Sequence, residues 1–250
     1  MSFLKIACSK LESVSQGGTA NDNTDLESAI IPISEGLNLW LDATDGSTLI
    51  TSGADINEWQ DKSGLDNHAI ASYGSPQFET NAVVLNGDEF TLNYPRVNGS
   101  NPFSLFLYLQ CSDNSRKNYV INFGINETNH RLNLIVDNNE NRIGVESFGP
   151  INSFYGSLNS FNLYDTWVLI GVIYSGTVLN IYINNSLYYS KNHTLEANEE
   201  AGATIGNVPE FRSEGIEFIG KIRQIIMYDR ELSEAEKTEI YDFVIDAPRP

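Results

Sequence analysis

The feature that most constrains the fold is a long succession of short apolar runs, separated from one another by Asn, Gly, Ser or Asp. The pattern begins at Leu37 and continues through most of the chain. Short apolar runs bounded by turn-forming residues are typical of β-strands. The chain is therefore predicted to be all-β, with strands that include Ser104–Leu109, Tyr119–Phe123, Leu132–Val136 and Arg142–Phe148.

Turn residues predict which of these runs form hairpins. Leu132–Val136 meets the next strand across Asp137-Asn-Asn-Glu-Asn141, and Trp167–Tyr174 meets Val178–Ile183 across Ser-Gly-Thr. A further tight turn is predicted at Asn184-Asn185, because Asn tolerates the positive φ that such turns need.

One helix is predicted near the end of the sequence. Ser233-Glu-Ala-Glu236 is a capping box, in which the Ser233 hydroxyl and the Glu236 carboxylate each satisfy a backbone N–H. Ile240, Phe243 and Val244 follow at positions i, i+3 and i+4 and give this helix one apolar face.

The composition of residues 11–28 predicts an N-terminal arm. This stretch is polar, contains Gly and has almost no large apolar residues, so its burial cannot offset the entropy of ordering it. We predict a flexible arm or anchor over residues 1–33 and one domain over residues 34–250. Whether the arm docks onto a partner or is a tail without one stays open.

The charge and the cysteine content indicate which classes of partner to expect and whether disulfides hold the fold together. The net charge of −18 repels phosphate backbones and anionic headgroups, so neither nucleic acid nor a membrane surface is expected as a partner. The only cysteines are Cys8 and Cys111, which makes a disulfide framework improbable. We expect no secretory signal peptide in Met1–Lys10, which lacks a sustained apolar stretch and a cleavage site.

Segments at both ends of the body resemble a known family. In their order and spacing they are similar to the opening and closing segments of laminin-G-like domains of the concanavalin A-like lectin-glucanase superfamily, found in phage and bacterial surface proteins. The resemblance covers roughly residues 36–245 and implies a jelly-roll β-sandwich with one short C-terminal helix. The segments are Gly36–Asp42, Trp59–Gly64, Thr204–Gly206 and Phe218–Ser233.

The three tryptophans are predicted to be core residues. Trp40, Trp59 and Trp167 are large enough to fill the space between two sheets about 10 Å apart.

Catalytic motifs are missing from the sequence. The Glu-x-Asp-x-x-Glu strand that glycan-cleaving relatives share is absent, as are Gly-x-Ser-x-Gly and Cys-x-x-Cys. We therefore expect a protein that is not an enzyme, although other carboxylate pairs could still meet in space.

Two acidic residues are candidate metal ligands. Many laminin-G-like domains hold calcium at the rim of the sandwich, and Asp42 and Asp61 lie in the matching segments. The resemblance thus implies calcium as the candidate cofactor. The alternative is turn capping, in which Asp61 accepts N–H bonds from Ser63-Gly64.

Residues 151–165 are a candidate glycan site, because they interleave aromatic residues with Asn, Ser and Asp. A pyranose has an apolar face and a ring of hydroxyls, so it requires a flat ring with amide and carboxylate partners. An ordinary long loop with buried anchors has the same composition. The predicted glycan-binding residues are Phe154, Tyr155, Asn162, Tyr164 and Asp165.

Together these observations predict a non-catalytic module exposed on a virion surface, or extracellular, as a capsid decoration, fibre or tail protein. The arm would attach it to other virion proteins, and the domain would adhere to cell-surface polysaccharide of the host. The alternatives are a purely structural virion protein without glycan affinity, and a secreted glycan-active enzyme or its accessory domain. Fold alone does not choose among them.

Overall fold

The structure is a computed structural model, and most of its regular elements are strands. It describes residues 30–94, 97, 99–113, 115–124, 131–146, 153–157, 163–195, 202–209, 212 and 214–246. For residues 153, 154 and 157 it describes the backbone but not the side chain. Over these residues the strands are β1 Leu37–Asp42, β2 Leu49–Ser52, β3 Asp55–Trp59, β4 Ala69–Tyr73, β5 Gln77–Phe78, β6 Val83–Asn86, β7 Glu89–Leu92, β8 Phe103–Cys111, β9 Lys117–Gly124, β10 Arg131–Asp137, β11 Arg142–Glu146, β12 Ser153–Ser157, β13 Trp167–Tyr174, β14 Val178–Ile183, β15 Ser186–Asn192, β16 Ala203–Ile205 and β17 Ile219–Tyr228. A 3-10 turn spans Gly46–Thr48, and the helix α1 spans Glu234–Asp246.

The strands build two antiparallel sheets. Sheet 1 has the order β15-β14-β13-β8-β17-β1. Sheet 2 has the order β12-β11-β10-β9-β16-β7-β4-β3-β2. The short strands β5 and β6 join the two sheets at one edge, because β5 pairs with β3 and β6 pairs with β17.

The main core lies between the two sheets. Leu105, Leu107 and Ile170 of sheet 1 share one cluster of buried side chains with Leu132 and Leu134 of sheet 2. Successive side chains of a strand point to opposite faces, so each sheet contributes every second residue to this core. The predicted all-β jelly-roll sandwich is confirmed.

The three tryptophans divide between two apolar clusters, one on each side of sheet 1. Trp59 is fully buried in the main core, as predicted. Trp40 and Trp167 instead belong to a second apolar cluster, which includes residues of α1. The prediction that all three lie between the sheets was therefore wrong for two of them. Strand alternation explains Trp40, because its neighbours Leu39 and Leu41 take the inward positions.

The helix covers the outer side of sheet 1. Its capping box forms as predicted, with Ser233 N donating to Glu236 (2.9 Å) and Glu236 N donating to the Ser233 hydroxyl (3.4 Å). Ile240 and Val244 are buried, and the Phe243 ring packs edge-on against Trp40 with centroids 5.8 Å apart. Within the described residues no helix is both long and apolar enough to cross a membrane.

Turns with positive φ set the register of the hairpins. Asn184 and Asn185 have φ of 47° and 65°, which confirms the tight turn between β14 and β15. Gly206, the residue after β16, has a φ of +89°. Its position requires glycine, since a Cβ would lie 2.4 Å from the Asp88 carbonyl oxygen.

The body begins before residue 34. Ile31 is buried in the second cluster, Ile33 packs against it, and the Ile33 carbonyl accepts a hydrogen bond from the Tyr228 hydroxyl (3.0 Å). These residues were assigned to the arm in the sequence analysis. Most of that arm, residues 1–29, lies outside the described residues.

Candidate functional site

Polar residues occupy the outer face of sheet 2 at positions that the strand pattern would leave to solvent. On β10, Leu132, Leu134 and Val136 point into the main core. The alternate residues therefore point outward, yet Asn133 and Ile135 on that face are 1% and 0% exposed. These two outward positions of β10 are therefore shielded from solvent.

Five outward residues form a row across five neighbouring strands. Register pairs Thr91 with Thr204, Thr204 with Asn122, Asn122 with Asn133, and Asn133 with Glu146. We call these five residues the outer-face row. Adjacent strands lie about 4.8 Å apart, so the row spans about 19 Å.

The middle of the outer-face row is deeply buried but incompletely hydrogen bonded. The Asn122 amide lies 3.5 Å from the Thr204 hydroxyl, which donates to the Asn207 carbonyl oxygen (2.8 Å). Among the residues that the structure describes, neither amide atom of Asn133 has a hydrogen-bond partner, and the same holds for Oδ1 of Asn122 and Nδ2 of Asn207. Leaving such a group unpaired costs about 1–3 kcal/mol, so each needs an explanation. One explanation is a bound polar ligand, which could hydrogen bond both to the unpaired N–H donors and to the unpaired oxygen acceptors of these amides.

Tyr155 forms one wall of this face. Its hydroxyl bonds to Glu146, and Lys117 Nζ donates to the same carboxylate (3.0 Å) and to the Tyr155 oxygen (3.1 Å). The Arg142 guanidinium lies 3.8 Å from the centre of the Tyr155 ring. Arg142 therefore covers one face of the ring, so a sugar that stacks on Tyr155 would have to use the other face.

A second tyrosine bonds to the same glutamate. The Tyr119 hydroxyl donates to Glu146. Burial, together with this hydrogen bond, raises the pKa of Tyr119. The phenol therefore stays protonated at neutral pH and fixes the carboxylate at the end of the outer-face row.

The other predicted glycan-binding residues lie in different places. Phe154 pairs with Val145 through the backbone of β12, its side chain is outside the described part of the structure, and so is Asn162. Tyr164 is 40% exposed and forms a bridge with Cys111 of sheet 1. Asp165 donates its N–H to the Cys111 carbonyl and accepts from Gln110 at its own carbonyl. The glycan-binding role of these residues stays a prediction.

The two candidate calcium ligands are engaged by hydrogen-bond donors. Asp42 Oδ1 accepts from Thr44 N (3.0 Å) and Gln224 Nε2 (3.0 Å), and Lys62 Nζ lies 3.1 Å from its Oδ2. Calcium at this carboxylate would have to displace an ammonium group, because both need the same oxygen.

The Asp61 carboxylate stabilises the turn that follows it through hydrogen bonds. Its oxygens accept from Trp40 N (2.8 Å), Ser63 N (2.9 Å), the Ser63 hydroxyl (2.6 Å) and Asn67 N (3.0 Å). This is the capping alternative of the sequence analysis. In the described part of the chain no three His, Cys, Asp or Glu side chains are grouped as a metal site. Calcium at Asp42 and Asp61 stays a prediction.

The described carboxylates Glu146, Asp137 and Glu89 stand at separate backbone positions on this face. Glu146 lies opposite Asn133, and Asp137 is four residues further along β10, which separates the two positions by about 13 Å. Glu89, paired with Arg212, lies on β7, four strands from Glu146 and so about 19 Å away.

Sequence reasoning missed Asn122, Asn133 and Thr204. The available signal was an Asn inside each of two strongly apolar strands, Tyr-Val-Ile-Asn-Phe and Leu-Asn-Leu-Ile-Val. Asn is disfavoured in strand interiors, so two such residues are a reason to look for a role other than packing.

Comparison with solved structures finds the same fold in proteins of low sequence identity. Domain 4 of AbnA, an extracellular arabinanase from Geobacillus stearothermophilus solved with arabinotriose, has a TM-score of 0.64 at 16% identity, covering 82% of this chain and 98% of that one. The receptor binding domain of botulinum neurotoxin C/D mosaic serotype has a TM-score of 0.59 at 17% identity, covering 84% and 52%. Trypanosoma rangeli sialidase, in complex with 2,3-difluorosialic acid, has a TM-score of 0.61 at 14% identity, covering 87% and 34%.

The family assignment comes from the sequence. The chain spans about half of the toxin domain and a third of the sialidase, and at these identities the likeness concerns the fold alone. No curated protein sequence matches the chain significantly. A laminin G family model matches residues 84–236, more than half of the chain. The protein therefore belongs to the concanavalin A-like lectin/glucanases superfamily.

Proposed function

We propose that this protein is a non-catalytic carbohydrate-binding module that holds a segment of polysaccharide against the outer-face row. One observation carries the proposal: among the described residues neither atom of the Asn133 amide has a hydrogen-bond partner. Because Asn133 is 1% exposed, a ligand reaches it only when the groups that cover it move aside. A sugar hydroxyl both donates and accepts, so it can satisfy an amide oxygen and an amide N–H together.

The surroundings of Asn133 fit this ligand class. Asn122 and Asn207 add a free acceptor and a free donor, and Glu146 adds a carboxylate at one end of the outer-face row. A row about 19 Å long suits several linked sugar units better than one. Membership of a lectin/glucanase superfamily and the likeness to a domain solved with arabinotriose support the same class.

The absence of catalysis is part of the proposal. Its support is the absence from the sequence of the Glu-x-Asp-x-x-Glu strand that glycan-cleaving relatives share. The test is to incubate the full chain with a panel of polysaccharides and to assay for reducing ends. Release of reducing ends above a heat-treated control would overturn this part.

The binding experiment is a calorimetric titration of the full chain with a panel of oligosaccharides that includes arabinotriose. Asn133→Ala and Asn122→Ala are the test variants. Asn180→Ala is the matched control, because Asn180 is a partly buried Asn on β14 of sheet 1. Loss of one or two hydrogen bonds should weaken affinity about tenfold in each test variant and leave the control unchanged.

Two results would overturn the proposal. One is that no oligosaccharide of the panel binds the wild type, and the other is that Asn133→Ala binds as tightly as Asn180→Ala. Repeating the titration with calcium and with EDTA tests the remaining metal prediction, since a calcium-dependent site loses affinity in EDTA.

We further propose that the module works on a virion surface or outside a cell, attached through residues 1–33. Its support is the sequence resemblance to surface proteins of phages and bacteria. Purified particles should contain the chain, and a variant without residues 1–29 should bind oligosaccharide normally but fail to attach to particles. Attachment of that shortened variant would contradict the anchoring role.

A further inference from the structure

The chain between β16 and β17 contacts the outer face of sheet 2. The Gly206 carbonyl accepts the Phe218 N–H (2.8 Å), so the two ends of this connection meet. A loop of about 6–16 residues whose ends are close is an Ω-loop, a class that is frequently functional. We call the described residues between Gly206 and Gly215 the strap; they are Asn207, Val208, Pro209, Arg212 and Glu214.

The strap covers outward positions that adjoin the outer-face row. Ile135 lies two residues from Asn133 on β10 and opposite Tyr119 of β9. Val208 of the strap is fully buried and forms one apolar cluster with Ile135 and Tyr119. Consecutive outward positions of a strand are about 7 Å apart, so this contact is one outward position from the Asn133 amide.

An ion pair fastens the strap to β7. The Arg212 guanidinium donates to both oxygens of the Glu89 carboxylate, from Nε (3.1 Å) and from Nη2 (2.7 Å). Glu89 lies two residues before Thr91 of the outer-face row, and its side chain is 0% exposed, whereas that of Arg212 is 37% exposed. A bidentate pair on a buried carboxylate is strong, because without Arg212 that charge would stay buried and uncompensated. Water reaches Glu89 when the strap lifts.

The strap lies between two glycines with positive φ. Gly206 has a φ of 89° and Gly215 a φ of 68°. Glycine changes its backbone conformation at little steric cost, which suits it to a hinge. On the far side of each glycine the chain is held to β9, since Gly206 N donates to the Val120 carbonyl (2.8 Å) and Tyr119 N donates to the Ile216 carbonyl (2.9 Å). The strap can therefore lift while both of its ends stay fixed.

We infer that the strap is a lid, which the Arg212–Glu89 pair holds closed beside the outer-face row. In the structure the lid is closed, because Val208 is fully buried and Asn133 is 1% exposed. A ligand that needs a partly populated open state binds with an affinity reduced by that fraction, so the ion pair regulates binding. The role of the lid in binding rests on the proposed function, whereas its motion does not.

Two measurements on the full chain test the lid without a ligand. In Arg212→Ala, hydrogen exchange at Val208, followed by mass spectrometry, should be about tenfold faster or more. Iodoacetamide labelling of Asn133→Cys, measured on the peptide that contains residue 133, should be faster by a similar factor when Arg212→Ala is added. Lys221→Ala is the matched control, because it removes an ion pair to Glu79 (2.6 Å) outside the strap and should change neither rate.

A second variant guards against a general loss of structure. Arg212→Lys keeps the charge but loses the bidentate geometry, so it should increase both rates by a smaller factor than Arg212→Ala. Thermal unfolding of each variant checks that the fold is retained. If either rate in Arg212→Ala is no higher than in Lys221→Ala, the strap is a fixed part of the domain and the inference is wrong.

The binding step separates the lid from the proposed function. For an oligosaccharide that binds the wild type, the association rate should rise about tenfold in Arg212→Ala and stay unchanged in Lys221→Ala. Faster exchange and labelling with an unchanged association rate would overturn the regulatory role. If exchange and labelling are faster but no oligosaccharide binds the wild type, the proposed function fails while the lid itself is supported.

Discussion

Asn133 should reduce stability, and replacing it with Leu should therefore stabilise the protein. The side chain is 1% exposed, and within the described part of the chain neither amide atom has a partner, so its burial carries the cost of an unsatisfied polar group. That cost is about 1–3 kcal/mol, and a Leu of similar shape removes it. For a domain of this size each kcal/mol moves the melting temperature by about 2–4 °C. We therefore expect Asn133→Leu to melt about 2–12 °C higher and to lose oligosaccharide binding.

Asn118→Leu is a control for which we expect the opposite change in stability. Asn118 is fully buried, yet its amide donates to the Arg116 carbonyl (3.2 Å) and its oxygen accepts from Ile219 N (3.2 Å). Asn118→Leu leaves those groups unpaired and should destabilise the protein by about 1–3 kcal/mol. Urea unfolding followed by tryptophan fluorescence measures both variants. If Asn133→Leu destabilises as Asn118→Leu does, Asn133 is a structural hydrogen-bonding residue, and the argument for a ligand at the outer-face row fails.

Two other substitutions test the hydrogen bonds of Asp61 and the cap of the helix α1. Asp61→Ala removes the acceptor of the buried Trp40 N–H and of two further N–H groups. It should lower the free energy of unfolding, measured by urea titration, by at least about 3 kcal/mol. A loss below about 1 kcal/mol would show that the turn does not depend on Asp61. Hydrogen bonds from Arg230 and from Ser233 lower the pKa of Glu236 to about 2 from its ordinary 4.5. Because the folded pKa lies below the unfolded one, this carboxylate stabilises the fold above about pH 4.5, and that contribution is lost as the pH falls towards 2. Glu236→Gln should flatten this part of the pH–stability curve, and an unchanged slope would contradict the assignment.

Local chemistry was enough to predict many of the elements. The capping box at Ser233 and Glu236 fixes where the helix begins, since only neighbouring groups take part. The turn at Asn184-Asn185 follows from the backbone preference of Asn. Apolar runs bounded by turn formers located β8, β9, β10 and β13 to within a few residues.

The sequence was a poorer guide to which face of its sheet each tryptophan occupies. Trp40 and Trp167 lie on the outer side of sheet 1, although their size suits the space between the sheets. Both faces of this sheet are apolar, because α1 covers one of them. Where both faces are buried, alternation between apolar and polar residues no longer distinguishes inside from outside.

Residues close together in the chain were enough to predict the strand-rich class, the hairpins, the capped helix and the family resemblance, because each of these depends on local sequence. The row of Thr91, Asn122, Asn133, Glu146 and Thr204 became visible in the folded protein, since strand pairing joins positions as much as about a hundred residues apart. The folded protein alone also showed that the buried Asn133 amide has no hydrogen-bond partner among the described residues, while the buried Asn118 side chain has three. Hydrogen bonding of a side chain depends on which groups the fold places within about 3 Å of it, and residue type and spacing do not contain that information.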